Sequence, residues 1–457
     1  MEDKSWVVEV DDEANRLDQV IESEKKNWEK HSIYKLPACV ATEGSENCYQ
    51  PQAISFGPYH YDDPKLQPME AHKKRALLRF LKRSKKTMRH CVDSLSSITE
   101  DLMAAYDSLD QKWEEDQEGF MMMMMRDGCF MLELLRVASP SLSQREVYDE
   151  KDPIFSNHGH LYMMPYFKRD MLMLENQLPM LLLTNLLSLD EDGERQSQEK
   201  KNEAINGLIR SFFFPEDNDL DLGECAHVLD AYRKLLLLIG KKSPDPIEVE
   251  SITKRDSVTY YWGGSDDIIP SASELVDSGV TIRKSKTRSI KDIRFVPGLF
   301  RGVLYIPPVM VDDTTQSIYL NLMAYERFHI GIGNDVTAYV AFMDDLIDNA
   351  KDVNLLKSNK IIQNAYGSDK NVAELFNTLS INMAHDTFNR LVFIRSEAKE
   401  YCDRHWNKWR GILIRSYFNH PWAVISLIAA IFLFTLTILG TSYTIAQFYH
   451  EPSTPEK

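Results

Sequence analysis

From Ser416 to His450 the chain runs 35 residues without a Lys, Arg, Asp or Glu, and the stretch WAVISLIAAIFLFTLTILGTSYTIA, Trp422 to Ala446, is almost wholly apolar or small. As an α-helix that stretch rises roughly 37 Å, enough to cross a hydrocarbon core of about 30 Å with some tilt. Tyr417, Phe418 and Trp422 precede it and Tyr443, Phe448 and Tyr449 close it, where amphipathic rings favour the two bilayer interfaces. The competing reading is a buried helix of a globular core, but such helices rarely continue this long without a charge. The segment is therefore expected to be a single transmembrane helix from Trp422 to Ala446.

The flanks orient it. Arg404, Lys408, Arg410 and Arg415 lie just before the span and only Glu451, Glu456 and Lys457 follow, so the positive-inside bias places the body in the cytosol. The start, MEDKSWVVEVDDEANRL, has neither the basic nor the apolar region of a secretory signal. None of the 21 Asn residues opens an N-glycosylation acceptor, and Cys39, Cys48, Cys91, Cys129, Cys225 and Cys402 form no spaced framework, both fitting a reducing compartment. The expectation is a tail-anchored, single-pass protein of the plasma membrane or an endomembrane.

Charge and composition limit the body. With 53 Lys+Arg against 69 Asp+Glu the net charge is −16, which argues against a nucleic-acid partner. Hydrophobic residues are 43%, and only 19 Gly and 19 Pro occur in 457 residues, which excludes collagen-like and broadly disordered classes. The mean hydropathy of −0.36 is too polar for a polytopic transporter.

Along the chain, residues 1–30 read as an acidic extension, 31–400 as one globular domain, 401–421 as a basic juxtamembrane stem, 422–446 as the span and 447–457 as a short tail. Apolar spacing predicts helices over Glu70–Arg89, Ser94–Trp113, Asp127–Val137, Met171–Leu189, Asn202–Phe214 and Glu224–Ile239, and again, with breaks, from Gln316 to about Arg415. Polar stretches near 190–201 and 241–258 read as loops. VTIRK, IRFV and VLYIPPVMV are short, β-branched and punctuated by Gly and Pro, predicting a small antiparallel β element near residues 280–311. The fold class is predominantly α, with that element and one transmembrane helix.

Motif chemistry is sparse. Asp344, Asp345 and Asp348 form a DDxxD triplet of the kind that holds Mg²⁺ for diphosphate departure, since hard cations take carboxylate oxygens. No second Mg²⁺ motif is visible downstream, and FMDDLIDNAKDV also reads as an amphipathic helix with Phe342, Leu346 and Ile347 inward and the acids in water. Asp217, Asp219 and Asp221 open like a calcium loop, but Leu222 stands where Gly is required and Val228 where Glu must close it. GKKS at Gly240–Ser243 lacks the rest of a phosphate loop, and GxSxG, HExxH, CxxC and GxGxxG do not occur. Cys39 and Cys48, flanked by His31 and His60, do not have zinc spacing. No catalytic residue, cofactor site or metal site is assigned.

Two features carry more weight. Lys73, Lys74, Arg75, Arg79, Lys82, Arg83, Lys85, Lys86 and Arg89 are nine bases with no acid among them, on a segment with an apolar stripe of Leu77, Leu78, Leu81 and Met88. Such a helix can contact an anionic leaflet, each base contributing about 1 kcal/mol; alternatively it pairs with acids of its own protein. The five methionines Met121–Met125, running into DGCFMLELLR, are either an adaptable binding groove or core filler, and the helical continuation favours filler.

A set of ordered segments resembles a known family. IYKLPACV, YQPQAISFGPYHYDDPKLQPMEAHK, DGCFMLELLR, DMLMLENQLPMLLL, SASELVDSGVTIRK, GVLYIPPVMVDDTTQSIYLNLMAYE, YVAFMDDLIDNAKDVNLL, GSDKNVAELFNTL and YFNHPWAVISLIAA run from about Ile33 to Pro452. Together they are similar to the plant family catalogued as domain of unknown function 247. The resemblance implies a single-pass membrane protein with a large helical domain and no established catalytic residue. It also implies, by analogy with relatives in self-incompatibility and defence, a role in recognition. The expected function is a membrane-tethered interaction or recognition protein without catalytic activity, its partners the bilayer and unidentified proteins. The alternative is a metal-dependent enzyme handling an isoprenoid or phosphate substrate through Asp344, Asp345 and Asp348.

Overall fold

A computed structural model of the chain describes residues 30–41, 44–137, 148–190, 197–215, 220–238, 269–298, 301–381, 389–404 and 421–450, with Trp6, Val10, Ala14, Leu17, Ile21, Lys25 and Trp28 also placed, helical and exposed. The expectations for residues 405–420, for the 241–258 loop, for Asp217 and Asp219, for GKKS and for the tail from Glu451 lie outside the described residues, as does most of 1–30.

Helices dominate, divided by local chemistry that apolar spacing does not register. The basic segment forms α1 (Glu70–Ser84), which stops where Lys85 takes a left-handed conformation at φ 56°. Thr87 Oγ1 then accepts from His90 N and starts α2 (Met88–Ser96). The helix expected over Ser94–Trp113 is instead the end of α2, then α3 (Thr99–Ala104) and α4 (Gln111–Glu115), with Ser108 at φ 52° between the last two. Next comes α5 (Gln117–Val137), longer than expected because the methionine run belongs to it; Met123, Met124 and Met125 are buried, as core filler should be.

Short helices α6 (Asn157–Tyr162) and α7 (Met164–Asp170) follow. The expected helix over Met171–Leu189 begins only at Met180, as α8 (Met180–Asp190). Pro179 offers no N–H, and the residues before it form a loop held by side chains. Asn176 accepts from Phe56 N and donates to Ile54 O and Asp170 O, while Gln177 donates to Met171 O and Met173 O. Buried Asp170 accepts the backbone N–H groups of Gln52, Ala53 and Ile54 at 2.6–3.2 Å. These bonds satisfy a buried irregular backbone that has no ladder partners. Gly57 crosses this loop at φ +76°, where a Cβ would lie 2.8 Å from Tyr106 Oη and 2.9 Å from Gln177 O.

The chain continues through α9 (Gln198–Phe213), α10 (Val228–Leu238) and α11 (Ala272–Asp277) into the β region. Strands β1 (Val280–Lys284), β2 (Arg294–Val296) and β3 (Gly302–Ile306) form a sheet in the order β1-β3-β2. The expected element is present, but its pairing is mixed. β2 and β3 are antiparallel, Phe295 opposite Leu304, whereas β1 and β3 are parallel, Val280 opposite Gly302. The segment from β1 to β3 carries a 3₁₀ turn and β2, long enough to bring the chain back in the same direction. β4 (Val309–Val311) leaves this sheet for a parallel pair with β5 (Ile362–Asn364), unpredicted because its partner is fifty residues distant. Between them run α12 (Thr315–Phe328), α13 (Asp335–Leu346) and α14 (Ala350–Ser358). α15 (Asp369–Leu379), α16 (Arg390–Asp403) and α17 (Pro421–His450) complete the chain. One contiguous cluster of buried apolar side chains extends from Ile33 to Cys402.

Candidate functional site

The nine bases of the Lys73–Arg89 segment divide between two faces. Lys73 is fully buried, its ammonium 2.8 Å from Asp127 Oδ1 and 2.7 Å from Glu70 Oε1. Burial opposes its charge, but Asp127 and Glu70 outweigh that and push its pKa up. Arg75 and Arg79 both reach Asp152, Arg79 also lies 4.0 Å over the Tyr148 ring, and Arg83 bridges Glu133 at 2.8 Å and Asp190 at 2.9 Å. Pairing with the protein's own acids therefore accounts for Lys73, Arg75, Arg79 and Arg83. Lys74, Lys82, Lys85 and Arg89 are exposed and Lys86 half-buried, with Leu78 58% exposed between Lys74 and Lys82 at one-turn intervals.

The aspartate triplet does not share one helix. Ile347, at φ −119°, ends α13, so Asp348 sits on the following turn. Even so, Asp344, Asp345 and Asp348 line one cleft of about 410 Å³ with Glu274 and Asn377. Phe342, Leu346 and Ile347 are fully buried, as the amphipathic reading requires. Asp345 pairs with Arg395 at 3.1 Å. The Asn377 amide, set with its nitrogen away from other donors, gives Asp344 Oδ1 a bond of 3.1 Å. Glu274 caps α11 by accepting from Ser271 N. Nearby Asp352 accepts from Ser273 N, Ser273 Oγ and Asn349 N. Burial first, and then Asp352, Glu274 and Asp344, push the Asp348 carboxyl up. Among the described residues no group of three or more His, Cys, Asp and Glu has metal-holding geometry. Of the other residues considered for a metal, His60 pairs with Glu175 at 3.2 Å, His31 lies 3.7 Å from Asp107, and all six cysteines are free thiols.

A second cleft, of about 460 Å³, was not legible in the sequence. It opens where the start of α10 meets the end of α12, lined by Cys225, Asp230, Lys234, Tyr325 and His329. These residues lie in two stretches about a hundred positions apart and form no motif. Asp230 Oδ2 accepts from Ala226 N at 3.0 Å and meets Lys234 Nζ at 3.0 Å, while Oδ1 is buried without a partner. Beneath it His227 is fully buried. Its Nδ1 accepts from Asp230 N and its Nε2–H donates to Ser32 O, which defines the neutral tautomer. Burial pushes this imidazole down to about 4. Burial likewise lowers His329, whose ring lies 5.1 Å from that of Tyr325. Burial raises the Cys225 thiol to about 12, so it is no nucleophile at neutral pH.

The long helix stands apart. Among the described residues, Ile425–Gln447 of α17 is the one helix long and apolar enough to cross a membrane, and none of its apolar window is buried against the body. Four of its threonines are satisfied within the helix: Thr435, Thr437, Thr441 and Thr444 each donate to the carbonyl four residues back, at 2.7–2.9 Å. That is the arrangement a hydrocarbon surrounding demands.

A helical body with small sheets and one exposed, apolar C-terminal helix of membrane-crossing length is the class this architecture defines. The chain belongs to the family described as plant protein of unknown function, DUF247, which matches residues 33–436. It is similar to UPF0481 protein At3g47200 of Arabidopsis thaliana, 28% identical over 94% of this chain and 89% of the relative. It is also similar to the putative UPF0481 protein At3g02645 of the same plant, 22% identical over 95% of this chain and 93% of the relative. No solved structure matches.

Proposed function

We propose that this protein is a membrane-tethered interaction protein without catalytic activity, held by α17 with its body on the cytosolic side and serving recognition at the cell periphery. The observation that carries the reading is α17 itself, a 30-residue helix whose described large apolar side chains, apart from half-buried Leu427, are exposed, among them Phe434 and Leu433. Left in water that surface would cost on the order of 25 cal/mol per Å². A tether raises the local concentration of the body for juxtamembrane partners. The outer face of α1, with Lys74 and Lys82, together with the exposed Lys85 that ends it and Arg89 at the start of α2, is proposed to meet an anionic leaflet. The test is alkaline extraction of membranes from cells expressing the full chain: the native protein stays in the pellet, and Leu433→Arg with Leu436→Arg moves it to the supernatant. A native chain released by alkali would overturn the tether.

The second reading, a metal-dependent enzyme on an isoprenoid or phosphate substrate, is favoured by the convergence of Asp344, Asp345 and Asp348 on one cleft. Against it stand the partners that Asp345 has in Arg395 and Asp344 in Asn377. Calorimetric titration with Mg²⁺ and a prenyl diphosphate decides, because stoichiometric binding abolished by Asp344→Ala would favour the enzyme.

A further inference from the structure

We propose that the cleft between the start of α10 and the end of α12 binds a small neutral polyol, such as a monosaccharide or cyclitol. The starting observation is Asp230, 4% exposed, a residue of the cleft lining whose Oδ1 is buried without a partner. A buried carboxylate oxygen without a donor costs free energy, and a ligand hydroxyl would remove that cost.

Lys234 is fully occupied, and Arg233 is paired with Glu326 and Asp335. Lys234 Nζ bonds to Asp230 Oδ2, to Glu224 O and to Cys225 Sγ, which accounts for its three donors. Arg233 donates from Nε to Glu326 Oε1 and from Nη2 to Ile332 O, both at 2.8 Å. An anion would thus face Asp230 and Glu224 without a free ammonium to receive it. A cation at Oδ1 would lie close to Lys234, which holds the other oxygen of the same carboxylate. A neutral donor meets neither objection.

The remaining groups suit hydroxyls. Tyr34 gives its one proton to His31 O at 2.9 Å, so in the 2.9 Å contact between Tyr34 Oη and His329 Nδ1 the histidine carries the hydrogen. His329 Nε2 is then a lone pair, a second acceptor on a residue that lines the same cleft as Asp230. Tyr325 supplies a hydroxyl able to donate or accept, and its ring stacks on that of His329 with centroids 5.1 Å apart, which holds the two side chains of the cleft lining in place. The volume of about 460 Å³ falls within the range of small-molecule sites.

The experiment is saturation-transfer NMR on the full chain in phosphatidylcholine nanodiscs, which avoids sugar-based detergents. The probes are myo-inositol, glucose and galactose, with acetate and methylguanidinium as charged comparators. Saturation of at least one of the three polyols is expected, weakened about fivefold or more in Tyr325→Phe and in His329→Phe, which keep the rings. Asp230→Asn, which turns the free acceptor into a donor, should abolish it. No saturation of any of the three polyols, saturation indifferent to Tyr325→Phe and His329→Phe, or cleft-dependent saturation of a charged comparator instead would overturn the proposal. If Asp230→Asn fails to fold, the two ring-preserving variants still decide.

Discussion

Lys73 Nζ lies 2.8 Å from Asp127 Oδ1, and the two side chains are 0% and 1% exposed. The first residue of a strongly basic run is therefore part of the interior, joined by Ser55 Oγ at 3.1 Å to the loop that Asp170 and Asn176 organise. Removing one partner of such a pair strands the other's charge. Lys73→Met is expected to lower the unfolding free energy by about 3–5 kcal/mol. Lys73→Met combined with Asp127→Leu should recover much of the loss, and exposed Lys74→Ala should change stability by less than about 0.5 kcal/mol. Urea denaturation at pH 7 measures all three; equal effects at Lys73 and Lys74 would contradict the burial argument.

Asp170 is predicted to hold the 52–54 backbone by hydrogen bonding more than by charge. Asp170→Ala orphans the N–H groups of Gln52, Ala53 and Ile54, an expected loss of about 3 kcal/mol. Hydrogen exchange gives the local readout, since these amides should lose protection before those of α5 do.

The His227 imidazole predicts an acid-sensitive fold. Its pKa is about 4 in the folded protein against 6.5 ordinarily, so the unfolded chain takes up a proton first as pH falls. Stability is full above about 6.5 and declines toward 4, by about 3 kcal/mol from this residue alone. Unfolding curves between pH 7 and pH 4 should show that slope, and His227→Phe should flatten it. An unchanged slope would mean that other groups carry the acid dependence.

The two faces of α1 predict different behaviour at a bilayer. A spin label at Leu78→Cys in nanodiscs should gain contact with lipid-soluble oxygen when phosphatidylserine is included, and lose it as salt rises. The gain should disappear when Lys74, Lys82, Lys85 and Arg89 are changed to Gln, whereas the inward-facing Arg75, Arg79 and Arg83 leave it to these four. Indifference to lipid charge would remove the leaflet contact from the proposed function.

By itself the sequence determined what local composition determines. A charge-free apolar run longer than a bilayer is thick can be recognised without knowing its neighbours, and α17 runs from Pro421 to His450 around the expected Trp422–Ala446. The helical class, the burial of Met123–Met125 and the inward set Phe342, Leu346 and Ile347 were legible for the same reason, a periodicity contained in a few turns. Tertiary structure decided what depends on distant residues. Which bases of α1 face water was set by Asp127, Glu133, Asp152 and Asp190, up to 107 positions away. The parallel pairing of β1 with β3 depended on a chain reversal that strand patterns do not encode. The cleft at Asp230 and His329 exists because α10 and α12 pack together, and the buried oxygen that gives it a chemistry is defined only by the donors that fail to reach it.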